Sequence, residues 1–169
     1  MLPNGIMGRM TVYTWFAKPV PVELPVRQVY GWIFDAHGRV MIWREGAEVG
    51  LPGGRPEPSD ADIEATLRRE VREEITAEVR DPHYLGYQRV DESDHRPPFA
   101  QVRMVARLGR LHPPEPDPDT GSVKNRAAVA PERALAELNW GQHGREQLQA
   151  ATELAFRLWG LRAETREKQ

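Results

Sequence analysis

The chain has 169 residues, enough for one domain with a core of its own and short for two. Its 23 basic and 25 acidic residues give a formal charge of -2, so it has no excess charge to bind a nucleic-acid polymer or a membrane surface nonspecifically. It contains no cysteine, which excludes disulfides, thiol catalysis and cysteine-held zinc; the lack of any long apolar run and of a secretory layout sets a cytoplasmic location as the expectation.

Residues 1–25 carry Pro3, Pro19, Pro21 and Pro25 and read as an N-terminal arm packed on the domain, with a short strand at 11–16. Residues 26–34 and 39–43 read as strands joined by the turn Asp35-Ala36-His37-Gly38, a hairpin. Gly50-Leu51 then leads into Pro52-Gly53-Gly54, where glycine lets the backbone approach a phosphate or a metal. Ser59 and Asp60 are the expected N-caps of a helix ending near Thr76.

Beyond it, 78–80 and 84–90 supply strand material interrupted by Asp81-Pro82, and 91–98 a polar loop before a long strand at 99–111. The prolines of 113–121 remove donors and favour an extended path, so this stretch is expected to be exposed. A short helix over 131–138 enters through proline, and a terminal helix over 145–161 places Leu148, Ala151, Ala155 and Leu158 on one face. Residues 162–169 form a charged tail. Strands on both sides of one central helix, with another long helix at the end, read as an α/β chain whose mixed sheet is covered by helices on both faces. The domain proper is expected to span 26–161.

The central helix carries the chemistry. At about 100° per residue, Ile63, Leu67, Val71 and Ile75 make one apolar arc, with Glu70 and Glu74 at its edge and Glu73 roughly 60° beyond Glu70. A merely solvated face would put its acids opposite the arc, where Arg69 and Arg72 project. Acids that border a core cost desolvation unless a cation compensates them. Glu64 also falls within the arc, but at the helix start, where the macrodipole favours an acid and water remains close. Arg69 and Glu73 are an i,i+4 pair that can orient one carboxylate. Oxygen donors without histidine or cysteine suit Mg²⁺ or Mn²⁺ rather than zinc.

From Gly54 to Arg69-Glu70-Val71-Arg72-Glu73-Glu74 the chain resembles the Nudix hydrolase signature G-x5-E-x7-R-E-U-x-E-E-x-G-U, where U is a bulky aliphatic. Leu51-Pro52-Gly53 resembles the usual approach to that box, and the flanking strands extend the likeness across most of the chain. Three features depart from the pattern. Asp60 stands where counting forward from Gly54 reaches the family's glutamate, whereas counting back from Arg69 reaches Ala61, so the loop is one residue longer. The closing glycine is Thr76, and Ala77 takes the last aliphatic place.

The resemblance implies an α/β/α sandwich and Mg²⁺-dependent hydrolysis, with Mn²⁺ as the alternative ion, of a phosphoanhydride in a nucleoside diphosphate linked to a group X. It implies Glu70 and Glu74 as principal metal ligands, Glu73 as a further ligand held by Arg69, and the Gly53 carbonyl as a backbone ligand. Glu70, Glu73 and Arg69 are the catalytic expectations, with the identity of the base left open. A late acid from another loop is also expected; Glu115, Asp117 and Asp119 form one group of loop acids, and Asp91, Glu92 and Asp94 another, each otherwise ordinary solvated charge.

Gly54 and the strand arginines Arg27 and Arg103 are the expected substrate contacts, since an arginine buried on a sheet seeks an anionic partner. Tyr30, Trp32, Tyr84, Tyr87 and Phe99, with Gln88 and Gln101 nearby, are available to a base, although core packing is the ordinary role of each aromatic. The histidines His37, His83, His95, His112 and His143 lack ligand spacing and read as surface residues. Neither a Walker phosphate loop nor a Gly-x-Ser-x-Gly elbow is present. The expected partner is a nucleotide or nucleoside diphosphate derivative, with no membrane and no nucleic-acid polymer, and a homodimer is an expected assembly. The competing expectation is a noncatalytic sensor that keeps the fold and uses the pocket for regulation.

Overall fold

Residues 10–163 are described by the computed structural model. They form, in chain order, β1 (Thr11–Phe16), β2 (Val26–Phe34), β3 (Val40–Glu45), β4 (Glu48–Gly50), β5 (Gly53–Gly54), α1 (Ile63–Ile75), β6 (Ala77–Glu92), β7 (Phe99–Leu111), β8 (Asn125–Val129), α2 (Pro131–Leu138) and α3 (Gly141–Trp159). The strands make one mixed sheet in the order β1-β6-β7-β2-β3-β4, with β5 paired to β2 and β8 to β3. Only the central β2 and β7 pair in parallel; the other pairings are antiparallel.

Period-two alternation sorts the side chains into layers. Val29 and Ile33 of β2, with Val102, Met104 and Ala106 of β7, pack under Leu67, Val71 and Ile75 of α1. Trp32 and Phe34, with Val105, face the other way and meet Leu138, Leu148, Ala151 and Ala155 of α2 and α3. The result is the expected α/β/α sandwich. Gly31 sets the spacing on the α1 side, since a Cβ there would lie 2.9 Å from the Leu67 side chain.

Several local expectations are corrected. The N-cap of α1 is Asp62, whose carboxylate accepts from the Ala65 N–H at 2.8 Å. Asp60 is unavailable as a cap because its oxygens bind Arg69, the Thr66 hydroxyl and the Glu57 N–H. β6 runs through Asp81-Pro82 without a break: the register shifts between Arg80 and His83, and Asp81 adopts φ 50°, so the proline's missing donor falls in a bulge. In the proline-rich segment Asp117 is buried, not exposed, with its carboxylate accepting from the Asp119 and Thr120 N–H groups. α3 begins earlier than expected, at Gly141; Gly144 and Gln147 join its buried face, and Leu158 lies outside it. The first nine and last six residues, on which part of the expected arm and most of the tail fall, lie outside the described residues.

Where the family pattern has glycine, Thr76 ends α1 in the left-handed region at φ 49° and ψ 47°, its N–H donating to the Val71 carbonyl. A β-branched residue is strained there by roughly 1 kcal/mol. Arg126 offsets part of that cost, with Nη1 donating to the Ile75 carbonyl, the Thr76 carbonyl and the Thr76 hydroxyl. Thr76→Gly relieves the strain and keeps both carbonyl contacts, so it is expected to be neutral or to stabilise by up to about 1 kcal/mol. Urea unfolding of the variant checks this, and a clear loss of stability would contradict it.

Candidate active site

The pairing of β5 with β2 sets Gly54 opposite Val29 and Gly53 opposite Tyr30, against the acidic edge of α1. The Gly53 N–H donates to Glu74 Oε1 at 3.2 Å. A Cβ on Gly54 would lie 2.4 Å from the Glu70 carboxylate, so any side chain there would push the acid away from the strand. The glycine turn and the helix acids therefore build one surface.

Arg69 binds that surface to the preceding loop. Its Nε and Nη2 donate to the two Asp60 oxygens at 3.0 and 2.9 Å, and Nη2 also donates to the Arg55 carbonyl at 2.8 Å. Nη1 donates to Glu70 Oε1 at 3.0 Å and to Glu73 Oε2 at 3.2 Å. The expected i,i+4 pair is present within a larger assembly, and Asp60 supplies the loop carboxylate despite being shorter than glutamate. The bidentate guanidinium holds the Asp60 carboxyl well below the usual range and raises the arginine's own proton affinity.

The helix acids behave in the opposite way. Burial raises the pKa of Glu70 and of Glu73 against the pull of Arg69. Glu74, 7% exposed, is pushed up to about 7 by burial, although Lys124 Nζ lies 3.0 Å from Oε2. Lys124 also sits 4.4 Å from the centre of the Trp43 ring. It comes from a proline-rich loop 50 residues after Glu74, and no local pattern marks it.

Among the described residues, no three histidine or acidic side chains already converge in a metal-binding geometry, because Arg69 and Lys124 take oxygens of Glu70 and Glu74. The donor set nevertheless fits a hard divalent ion. It offers carboxylate oxygens that are hard to ionise without a cation, beside a glycine backbone that a Cβ would close off. Of the loop acids, Asp117 is near enough to bear on Glu70, and Asp119 on Glu73. Glu115 is exposed, and Asp91, Glu92 and Asp94 are engaged by Arg89 and Arg96.

The two strand arginines part company. Arg27 is exposed rather than buried on the sheet, lies over Phe99 at 5.2 Å, and shares a cavity of about 490 Å³ with Arg55 and Arg96. Arg103 is 2% exposed and faces a second cavity of about 410 Å³ with Tyr30, Trp43, Gln88, Gln101 and Trp140. His143 departs from the surface expectation by packing against Tyr13 and Trp140 in that same cavity. Trp32 and Tyr87 are core residues, and Tyr84 donates its hydroxyl to the Lys18 carbonyl.

The fold is that of a known class. The NUDIX domain model matches residues 24–150, and the chain belongs to the Nudix hydrolase family. It is 28% identical over 145 residues to the human mitochondrial coenzyme A diphosphatase NUDT8, covering 82% of this chain and 61% of that protein. The chain thus spans less than two thirds of that relative. Among solved structures, a pyrophosphohydrolase of Bacillus subtilis matches with a TM-score of 0.57 at 20% identity, over 69% of this chain and 70% of that one. A NUDIX hydrolase from Nitrosomonas europaea matches with a TM-score of 0.58 at 16% identity, over 75% and 87%. At these identities the two structures show the fold.

The raised Glu74 pKa has a defined consequence for stability. Between the ordinary carboxyl value of 4.5 and about 7, the folded protein keeps a proton that the unfolded chain has lost. The unfolded state then binds fewer protons, so stability in a chelating buffer falls as pH rises through that window. Glu74→Gln removes this contribution. Urea midpoints measured from pH 4.5 to 8 should decline less in the variant than in the wild type, and parallel declines would contradict the burial of Glu74's charge.

Proposed function

We propose that this protein hydrolyses a phosphoanhydride bond in a nucleoside diphosphate linked to a second group, using Mg²⁺ or Mn²⁺ held by Glu70, Glu73, Glu74 and the Gly53 carbonyl. The observation that carries this reading is the meeting of Glu70 and Glu74, at the buried edge of α1, with the glycines of β5. A bound divalent ion would neutralise charge on nonbridging phosphate oxygens. The rest is done by the chain itself.

Arg69 fixes the directions of Glu70 and Glu73 and anchors them to the loop through Asp60. A carboxylate of this group, Glu70 or Glu73, whose proton affinity burial raises, accepts a proton from the attacking water. Gly54 lets a phosphate approach the backbone. Arg27 and Arg55, in the exposed cavity beside it, offer charge to the diphosphate or to the attached group. The named activity of the human relative brings coenzyme A into the substrate panel beside nucleotide sugars and dinucleoside polyphosphates. A binding-only sensor would have no need of the complete Arg69, Glu70, Glu73 and Glu74 set.

The test is product release from that panel in Mg²⁺, in Mn²⁺ and in chelator. The expected result is metal-dependent formation of a nucleoside monophosphate or an equivalent phosphate ester; binding without turnover throughout would overturn the reading. On any substrate found, Glu74→Gln and Glu70→Gln should each lower kcat by about 100-fold or more while remaining folded. Arg69→Ala should cost about 10- to 100-fold, whereas Arg68→Ala and Arg72→Ala, whose side chains are exposed, should stay close to wild type. Equal, small losses in all three arginine variants would remove the orienting role of Arg69.

A further inference from the structure

The strands part where β2 ends. β3 pairs with β2 only at Phe34 opposite Val40, whereas β7 stays beside β2 as far as Phe34 opposite Arg107. A cavity of about 640 Å³ opens at that point, with Phe34, Met41, Leu108 and Trp159 in its walls. Phe34 lies four residues beyond Tyr30, where β2 meets the glycines of the acidic site, and so about 13 Å further along the strand. None of Glu70, Glu73, Glu74, Gly53 and Gly54 lines the cavity.

Four guanidinium groups do line it: Arg39 from the turn before β3, Arg80 of β6, Arg107 of β7 and Arg126 of β8. Arg80 and Arg107 stand opposite each other in the register of β6 and β7, where like charges repel. Carboxylates are fewer. Asp35 alone lines the cavity, and its oxygens are taken by Arg39 Nε at 2.7 Å and by the His37 and Arg39 N–H groups at 2.9 Å each. Asp81, exposed and outside the lining, pairs with Arg107 and also lies in the field of Arg80.

Among the described residues, the remaining partners are neutral. Arg80 donates to the Leu108 carbonyl at 3.4 Å, and Arg126 to the Ile75 and Thr76 carbonyls and the Thr76 hydroxyl. Four positive groups against two negative ones leave a surplus of two charges. Arg107 and Arg126 are half-buried, so solvent screens them less than it would a surface arginine. The Arg107 guanidinium lies 5.6 Å from the centre of the half-buried Trp159 ring, which sets charge and an aromatic surface side by side.

We infer that this cavity is a second ligand site, separate from the acidic one, for an organic phosphate: its phosphoryl group is met by Arg80, Arg107 and Arg126, and its apolar or aromatic body by Phe34, Leu108 and Trp159. A phosphate monoester carries close to two negative charges at neutral pH, which matches the surplus, and guanidinium forks match its oxygens. The volume is that of a small-molecule pocket and the walls are largely apolar, which leaves room for a body well beyond the phosphate itself.

The experiment titrates the full chain, in chelator, with 1-naphthyl phosphate and separately with inorganic phosphate. By calorimetry the expected result is saturable binding of 1-naphthyl phosphate with a Kd about tenfold or more below that of inorganic phosphate. The double variant Arg80→Gln, Arg107→Gln should weaken it about tenfold or more. The double variant Arg27→Gln, Arg55→Gln removes the same charge from the cavity beside Gly54 and should leave the affinity within about twofold. If the first variant unfolds, the wild-type protein still decides: the indole N–H resonance of Trp159, assigned from Trp159→Phe, should move during the titration while that of Trp43, beside Lys124, stays in place. Absence of saturable binding, equal losses in the two arginine pairs, a Trp159 resonance that does not move, or inorganic phosphate binding as tightly as the ester each overturns the inference. Neither metal nor turnover enters the measurement, so its outcome is separate from that of the hydrolytic reading.

Discussion

The shape of the site depends on the Arg69 guanidinium, which joins the loop after β5 to the acidic edge of α1. On its own, an arginine among carboxylates on a helix surface contributes little, because solvent screens the pairs and the side chains give up freedom to form them. Here the guanidinium is 18% exposed and the Asp60 carboxylate only 6%, and the bond between them is bidentate. The same group also holds Glu70, Glu73 and the Arg55 carbonyl. Removing it would leave Asp60 tied to α1 by the Thr66 hydroxyl alone and take from Glu70 and Glu73 the cation that orients them.

Buried charge is placed on both faces of the sheet, and the two cases are handled differently. On the α1 side, Glu74 sits at the layer's edge with a pKa near neutral, a lysine against one oxygen and a backbone N–H on the other. Such a carboxylate gains from any further cation that reaches it. On the α3 side, Arg103 is surrounded by rings and neutral amides, so its charge is accommodated without being cancelled. One face thus favours a cation and the other an acceptor.

Much of the frame was legible because periodicity is local. Ile63, Leu67, Val71 and Ile75 announce the buried stripe of α1, and the acids at its margin follow from the same helical count. β2, β7 and α2 were equally readable from alternation and from the proline that opens α2. What escaped depends on contacts distant in sequence. Counting residues showed that the loop after Gly54 was one too long, but not that Asp60 would still reach Arg69. Lys124 on Glu74 and the amide hydrogen bonds of Gln88 with Gln101 and Gln147 join elements far apart in the chain. Arg27 and Arg103 both look like strand arginines; only the place of Arg27 at the start of β2 and the position of α3 beside Arg103 make one exposed and the other buried.

The most direct test of this account is calorimetric titration of the metal-free protein with Mg²⁺ or Mn²⁺ at pH 7, repeated in buffers of different ionisation enthalpy. A cation bound at Glu74 must displace the proton that burial keeps there, because Glu74 is partly protonated at that pH. The account predicts saturable binding with proton release at pH 7, release that fades by pH 9, and much weaker binding in Glu74→Gln. Unchanged metal affinity in Glu74→Gln, or binding at pH 7 without proton release, would contradict it.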